Sequence, residues 1–505
     1  MNTLLNKYLK SLNFESQVID FENAYTSHPN YPSLLAITDS LNKLEIENIA
    51  ANVPLKHIEQ LPLKFITVLN IESNDYYIIS RKNDNVVIED NNGIIKTFTL
   101  AELEKYWTGI ILIIEENNNF LQRNTFKKSN YLITFLLLFL SMLSIITFEL
   151  NVIQIIFMIL TGIGVFVSIE ILKTYFNDTN SVESKLCTAN ENFSCKSIIN
   201  SKSYSFSKYL EFVDLPILFF SITFISQILG FDVLIYIGIL CLISFPFLVY
   251  SIYLQKIVLK KWCFLCLIVS ILLTCMTLLY LLNYKSLNPD YQHLVSLLIL
   301  SSLIVIAWFL LKKQLKSSRE NTQNINTLLR FKRNEDVFYK MAIPIEDKQY
   351  FDGIYKINIG NINAKNTITL FLSPSCPHCH TVYKKTIEFV AKYKEQVKLE
   401  VCFNININNL ENPYLDVVKT ILHLYNTNKD CKQALDDWHI KNIKLEEWLT
   451  KWKETDSFTT ENNQIENQYQ WCLNNNLNYA PIKIFNGRLL PEIYEINEMF
   501  YFFEE

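Results

Sequence analysis

Cysteine is absent from the first 186 residues and occurs eleven times after them, and six of the eleven form three close pairs: Cys187/Cys195, Cys263/Cys266 and Cys376/Cys379. Pairing at such spacing points to redox exchange or metal binding rather than core filling. Cys376 and Cys379 lie in P-S-C-P-H-C-H, between the β-rich run Thr367–Ser373 and a helical pattern from Thr381 to Tyr393. A thiol at a helix N-terminus meets the positive end of the dipole and unpaired backbone N–H groups, which favour thiolate. Cys376 is therefore expected to attack, with Cys379 a turn deeper as the resolving sulfur. His378 between them adds positive charge and favours an easily reduced, oxidising disulfide. The competing reading is half of a zinc site, but no second soluble C-x-x-C or H-x-x-H accompanies it, so no metal is expected.

Cys263 and Cys266 lie in K-K-W-C-F-L-C, at the edge of a long apolar run. Taken alone they could be two adventitious helix thiols, because free cysteine behaves as a small hydrophobe. Lys256, Lys260, Lys261 and Trp262 are interfacial residue types, so Cys263 is expected near water and Cys266 one turn deeper. There the pair can meet a polar partner on one side and a lipid-soluble electron carrier on the other. Cys187 and Cys195 fall in a polar loop with Ser201 close behind.

The elements that must position these groups follow from composition. A chain of 505 residues exceeds one ordinary core. Apolar runs near 131–150, 152–172, 213–229, 233–255, 262–283 and 292–311 each approach the roughly 20 residues needed to cross hydrocarbon. Six crossings are expected, and counting them puts all three cysteine pairs on one side. Residues 1–122 read as an α+β unit, with strands at Phe65–Ile71, Tyr76–Ser80, Val86–Glu89 and Ile110–Ile114. Residues 123–311 read as a transmembrane helical bundle, 312–365 as a charged linker and lead-in, and 366–505 as an α/β unit with a helical insertion. The opening residues lack the pattern of a secretory signal peptide. A net charge of −4 without a sustained basic run argues against a nucleic-acid partner.

The C-terminal segment resembles the thioredoxin family and its C-P-H-C thiol-oxidase branch. That resemblance implies a cis-proline opposite the active site, for which Pro481 in Tyr479-Ala480-Pro481 is the matching residue. The order of loop pair, two helices, interfacial C-x-x-C and tethered thioredoxin domain resembles the bacterial vitamin K epoxide reductase family. The eight-residue step from Cys187 to Cys195, Ser201 and V-D-L-P at 213–216 match its pattern. By that resemblance Cys266 meets a quinone, ubiquinone or menaquinone-like, Cys263 exchanges with the loop pair, and Ser201 lies near the site. Asp214 and Pro216 are expected to be structural, as a helix cap and a first-turn proline. The implied activity is quinone-dependent oxidation of dithiols in cysteine-containing client proteins or peptides. The implied home is the bacterial inner membrane.

H-P-N-Y-P-S-L-L at 28–35, D-Y-Y-I-I-S at 75–80, I-E-D-N-N-G at 88–93 and W-T-G-I-I-L-I-I at 107–114 resemble the papain-like peptidase that trims leader peptides in bacteriocin exporters. The domain has no cysteine, Tyr76-Tyr77 stand where that family's histidine is expected, and only Asp90 matches the triad. Without nucleophile and base the chemistry cannot run. A degenerate, inactive domain that binds a leader peptide or an exporter is expected, with His28 in a capping or surface role. An accessory of peptide maturation or export, and a membrane scaffold with vestigial cysteines, are the other function classes.

Positive charges in the short loops, Lys173, Lys256, Lys260, Lys261, Lys312 and Lys313 among them, gather on the cysteine-bearing side. Literal use of the positive-inside rule puts that side in the cytoplasm. Disulfide formation favours an oxidising compartment, and with the family resemblance this points to the external, periplasmic face. Placing Tyr131–Leu150 in the interface would leave the first domain inside and the rest facing out. Cys241, Cys275 and Cys402 are expected to be filler, and Cys431 and Cys472 are candidates for a structural disulfide.

Overall fold

The computed structural model describes residues 2–71, 74–82, 85–91, 95–116, 128–176, 210–232, 234–258, 262–283, 291–454 and 457–504. Two compact units divide the chain, Met1–Asn326 and Thr327–Glu505.

Alternating apolar residues in the N-terminal segment build a sheet that is covered on both faces. Its strands are β1 (Asn48–Asn52), β2 (Lys64–Asn70), β3 (Asn74–Lys82), β4 (Asn85–Glu89), β5 (Ile95–Thr99) and β6 (Trp107–Ile114), in the order β1-β6-β2-β3-β4-β5 with antiparallel neighbours. Ile66, Ile78, Leu112 and Ile114 face the helices Asn2–Ser11, Val18–Thr26 and Leu34–Lys43 through Tyr8, Phe21, Tyr25 and Ile37. Their neighbours Phe65, Ile79 and Ile111 face the other way, onto Ile58 and Leu103. The period of two along a strand produces this division. Each fully buried aliphatic or aromatic side chain contributes about 1.5–3 kcal/mol. Ser33 caps the third helix by accepting from the Ala36 N–H. Gly109 has φ +85°, and a Cβ there would fall 2.2 Å from Asn52 Oδ1, so the close approach of β6 to β1 requires glycine.

All six apolar runs form helices: Lys128–Thr147, Val152–Tyr175, Asp214–Ile228, Leu234–Tyr253, Phe264–Asn283 and Tyr291–Lys332. Helices are the elements that satisfy their own backbone in hydrocarbon. Among the described residues four are long and apolar enough to cross a membrane, while Phe135–Thr147 and Asp214–Ile228 are shorter apolar helices. The first helix still packs on the bundle, where Ser144 Oγ donates to the Gln227 carbonyl at 3.2 Å. Val152–Tyr175 and Asp214–Ile228 approach through Gly164, where an added Cβ would fall 2.1 Å from Phe220. The final helix runs 42 residues, about 63 Å at 1.5 Å per residue. It therefore carries on into the segment 312–365 that reads as linker in the sequence, as far as Lys332.

The C-terminal unit is an α/β fold on a second six-stranded sheet, ordered β7-β12-β11-β9-β10-β8. These strands are β7 (Ile343–Pro344), β8 (Ile357–Gly360), β9 (Asn366–Leu372), β10 (Val397–Phe403), β11 (Ile482–Phe485) and β12 (Arg488–Leu489). β9 and β10 are parallel, and β8 and β11 flank them antiparallel. The sheet thus takes two strands from residues upstream of 366. Between β10 and β11 lie the helices Leu415–Asn426, Cys431–His439, Leu445–Trp452 and Thr459–Asn474. The Cys431–Cys472 disulfide raised from sequence is not formed. Both thiols are free, Cys431 in the core cluster with Trp438 and Cys472 in the separate cluster with Phe371 and Trp471. Cys402 and Cys241 are buried filler, and Cys275 is exposed on its helix.

Candidate redox sites

β9 delivers the chain to a turn at Ser373–Ser375, and Cys376 takes the N-cap position of the helix Pro377–Lys392. Pro377 fits the first turn because its missing N–H would have no helical partner. Cys376 is half-buried, and its Sγ donates to the Ala480 carbonyl at 3.3 Å. That contact sets the loop holding Pro481 across from Cys376, and the Ala480–Pro481 bond is cis. Asn404 Nδ2 secures that loop through the carbonyls of Leu477 and Tyr479, at 3.1 and 3.0 Å. Cys379 is fully buried and accepts from the Ser373 N–H at 3.4 Å. Burial pushes the Cys379 thiol well above its ordinary pKa, and the neighbouring Cys376 adds to this. The accessible sulfur is therefore Cys376. His378 is exposed on the first helical turn.

Sequence reading missed the groups behind this pair. His380 Nδ1 lies 3.0 Å from Nδ1 of His439, which ends the inserted helix Cys431–His439. Trp438 Nε1 donates to the Pro374 carbonyl at 3.1 Å, and Tyr383 Oη donates to Asp436 at 2.9 Å. The insertion therefore grips both the loop and the helix that present the cysteines. Burial lowers the pKa of His380, and burial with the facing His380 lowers that of His439 to about 3. A histidine one residue past a C-x-x-C was the available signal. Its partner lies 59 positions away.

In the bundle, Cys263 immediately precedes Phe264–Asn283, and its carbonyl accepts the Leu267 N–H at 3.1 Å. Its Sγ accepts the Cys266 N–H at 3.4 Å. Cys263 is fully buried in the apolar core of the bundle, which corrects the expectation that it lies near water, and its N–H donates to Gln255 Oε1 of the preceding π turn, Leu254–Val258, at 2.9 Å. Cys266 lines an apolar cavity whose wall comes from four helices: Ile171, Phe212, Val213, Pro216, Leu248, Ser251, Val269 and Ser270. Two serines supply the only hydroxyls among these residues.

Asp214 is not a helix cap. Its fully buried carboxylate accepts from Trp308 Nε1 at 3.1 Å, Lys312 Nζ at 2.5 Å and the Glu211 N–H at 2.8 Å. The final helix thus pins the start of Asp214–Ile228. Pro216 sits in that helix's first turn, as expected, and also on the cavity wall. Cys187, Cys195 and Ser201 lie outside the described residues. The flanking described residues Phe176 and Leu210 are at the cavity end of the bundle, beside Tyr175 and Glu211.

In the first domain Tyr76 and Tyr77 lie on β3 and Asp90 follows β4. His28 is not a surface residue. It is buried, with Nε2 3.1 Å from Asp39 and Nδ1 accepting the Asn30 N–H at 3.1 Å. Among the described residues no three His, Cys, Asp or Glu side chains form a metal cluster.

A paired-cysteine helix start over a cis-proline, and a second one against an apolar cavity between membrane-length helices, define a membrane thiol-disulfide oxidoreductase. Family models match in the order expected: Peptidase C39 family over residues 3–119, Vitamin K epoxide reductase family over 155–281 and Thioredoxin over 353–482. The chain is a fusion of these three domains. Among solved structures it is similar to Proteus mirabilis ScsC in a transitional conformation, at 14% identity, 39% of this chain, 94% of that chain and TM-score 0.26. It is also similar to a periplasmic thioredoxin-like protein from Salmonella enterica serovar Typhimurium, at 13% identity, 29% and 88% coverage and TM-score 0.25. The thiol-disulfide exchange protein alpha-DsbA2 from Wolbachia pipientis is similar at 16% identity, with 30% and 87% coverage and TM-score 0.24. No curated protein sequence matches the chain.

Proposed function

We propose that the protein oxidises dithiols of cysteine-containing clients and passes their electrons through three cysteine pairs to a quinone. The observation that carries this is Cys266 on the wall of the apolar cavity. A client thiolate attacks Cys376 of the Cys376–Cys379 disulfide, forming a mixed disulfide and releasing Cys379. A second client thiol displaces Cys376, leaving the client oxidised and this pair reduced by two electrons. The reduced pair then reduces Cys187–Cys195, which in turn reduces Cys263–Cys266 by the same exchange. Ile171, Phe212, Val213, Leu248 and Val269 suit a flat apolar ring. When bound, a ubiquinone or menaquinone-like molecule supplies the two-electron, two-proton sink. Apolar walls keep water from Cys266 while electrons leave it.

The same reading puts the protein in a bacterial inner membrane with its cysteines on the periplasmic face. Disulfide-forming chemistry supports that side. Within the first unit Asn326 Nδ2 donates to Thr26 Oγ1 at 3.0 Å, which supports placing the N-terminal domain beside the exit of the final helix, on the cysteine side.

The test is quinone reduction by the purified, detergent-solubilised protein supplied with a dithiol peptide, comparing wild type with Cys266→Ser and Cys376→Ser. Loss of quinone reduction in the first and of peptide oxidation in the second supports the relay. A wild type that oxidises peptide through Cys376 but reduces no quinone refutes the membrane half.

A second reading rests on the N-terminal domain, which matches a peptidase family yet has no cysteine. It supports a domain that binds a leader peptide or exporter without cleaving it, making the protein an accessory of peptide maturation.

A further inference from the structure

Gln255 stands eight residues before Cys263, in the π turn that ends the helix Leu234–Tyr253. A π turn inserts a residue into the helical repeat and redirects a side chain, and such turns cluster at functional sites. Here the redirected side chain is only 1% exposed, and both ends of its amide are engaged. Oε1 accepts the Cys263 N–H at 2.9 Å, and Nε2 donates to Ser251 Oγ at 3.1 Å. Ser251 and Cys266 line the same cavity. One buried amide therefore ties the cavity wall to the residue that leads into the cysteine helix.

This tie bears on chemistry because the Cys266 N–H points at Cys263 Sγ, 3.4 Å away. An N–H donated to sulfur favours the reduced, thiolate-bearing pair over the disulfide, and stabilising the reduced form makes the pair a stronger oxidant. That geometry exists only while the Cys263 backbone is held at the helix start. Without the Gln255 carbonyl, the Cys263 N–H would lose this partner in a dry site, which the chain would relieve by moving.

We propose that Gln255 is a positioning residue. It holds the Cys263 backbone and Ser251 in register, so that Cys263 Sγ keeps the Cys266 N–H and Cys266 keeps its place on the cavity wall. The cavity half of this assignment rests on the quinone relay proposed above, and the cysteine half does not.

The experiment uses the full-length protein with Cys187, Cys195, Cys376 and Cys379 changed to serine, leaving Cys263/Cys266 as the only close pair. Its dithiol–disulfide equilibrium is titrated in glutathione buffers and read by mass-tag alkylation. Gln255→Leu is expected to shift that equilibrium about tenfold towards the disulfide, whereas Gln255→Glu, which retains a side-chain acceptor, stays within about twofold of wild type. In the otherwise wild-type chain, Gln255→Leu is expected to raise the KM for a short-chain quinone about fivefold, with kcat changing less and dithiol exchange at Cys376 unchanged. Ser251→Ala, which cuts the cavity side alone, is expected to raise that KM without moving the equilibrium, and it decides the case if Gln255→Leu does not fold. An equilibrium unchanged in Gln255→Leu overturns the proposal, as does equal damage in Gln255→Leu and Gln255→Glu, or a Ser251→Ala KM equal to wild type. If wild type reduces no quinone, the relay falls, and the glutathione titration still decides the role of Gln255.

Discussion

His380 and His439 meet Nδ1 to Nδ1 at 3.0 Å behind the C-P-H-C pair, and so join the active-site helix to the inserted helices. One ring must donate and the other accept, which fixes opposite tautomers in the neutral pair. His439 is 2% exposed, and its Nε2 has no hydrogen-bond partner.

Acid should loosen this junction. His439 has its pKa lowered from 6.5 to about 3 in the folded chain, so between those values the unfolded chain binds a proton that the folded chain refuses. Stability contributed here is full above pH 6.5 and is lost as pH falls towards 3, by up to roughly 5 kcal/mol. Thermal unfolding of the whole protein at pH 7 and pH 4.5 checks this: His439→Phe should lose less on acidification than wild type. Equal losses would show that the pair does not govern acid stability.

Burial divides the labour of the two thioredoxin-site sulfurs. Brief alkylation of the reduced protein at pH 7 should label Cys376 at least about tenfold faster than Cys379. Peptide mapping by mass spectrometry reads the two sites separately. In Cys379→Ser a client mixed disulfide should accumulate, because the sulfur that would release it is gone.

Asp214 binds Lys312 and Trp308 with its carboxylate out of water. Asp214→Ala strands those donors and should destabilise the protein by about 3 kcal/mol, while pairing Asp214→Leu with Lys312→Met should recover much of the loss. Melting temperatures of the single and double variants in one detergent test this. An additive double variant would mean the two residues are not coupled.

The N-terminal domain should bind a double-glycine leader peptide and leave it intact. Calorimetry reports the binding, and mass spectrometry after prolonged incubation reports cleavage. Any metal-independent cut at the double glycine that persists in a Tyr76→Phe, Asp90→Asn variant would point to a nucleophile other than the missing triad.

Much of this protein was legible from residue order alone. Six apolar runs of near-membrane length had to become helices, because lipid leaves the backbone no other partner. The alternation around Phe65 and Ile66 had to become a strand buried on both faces, and a C-x-x-C entered through a proline after a β-rich run had to begin a helix. These signals are local, since each depends on spacings of two to four residues. What only the tertiary structure decided is which distant groups close on the cysteines. Gln255 reaches the Cys263 N–H through a change in helical repeat that no propensity announces. Asp214 turned from an expected cap into a buried anchor because Trp308 and Lys312, more than ninety residues on, pack against it. His28 and His439 were pulled from water by helices and loops that their own neighbourhoods do not encode. Burial, partner and charge are properties of packing, and packing joins residues that the linear chain keeps apart.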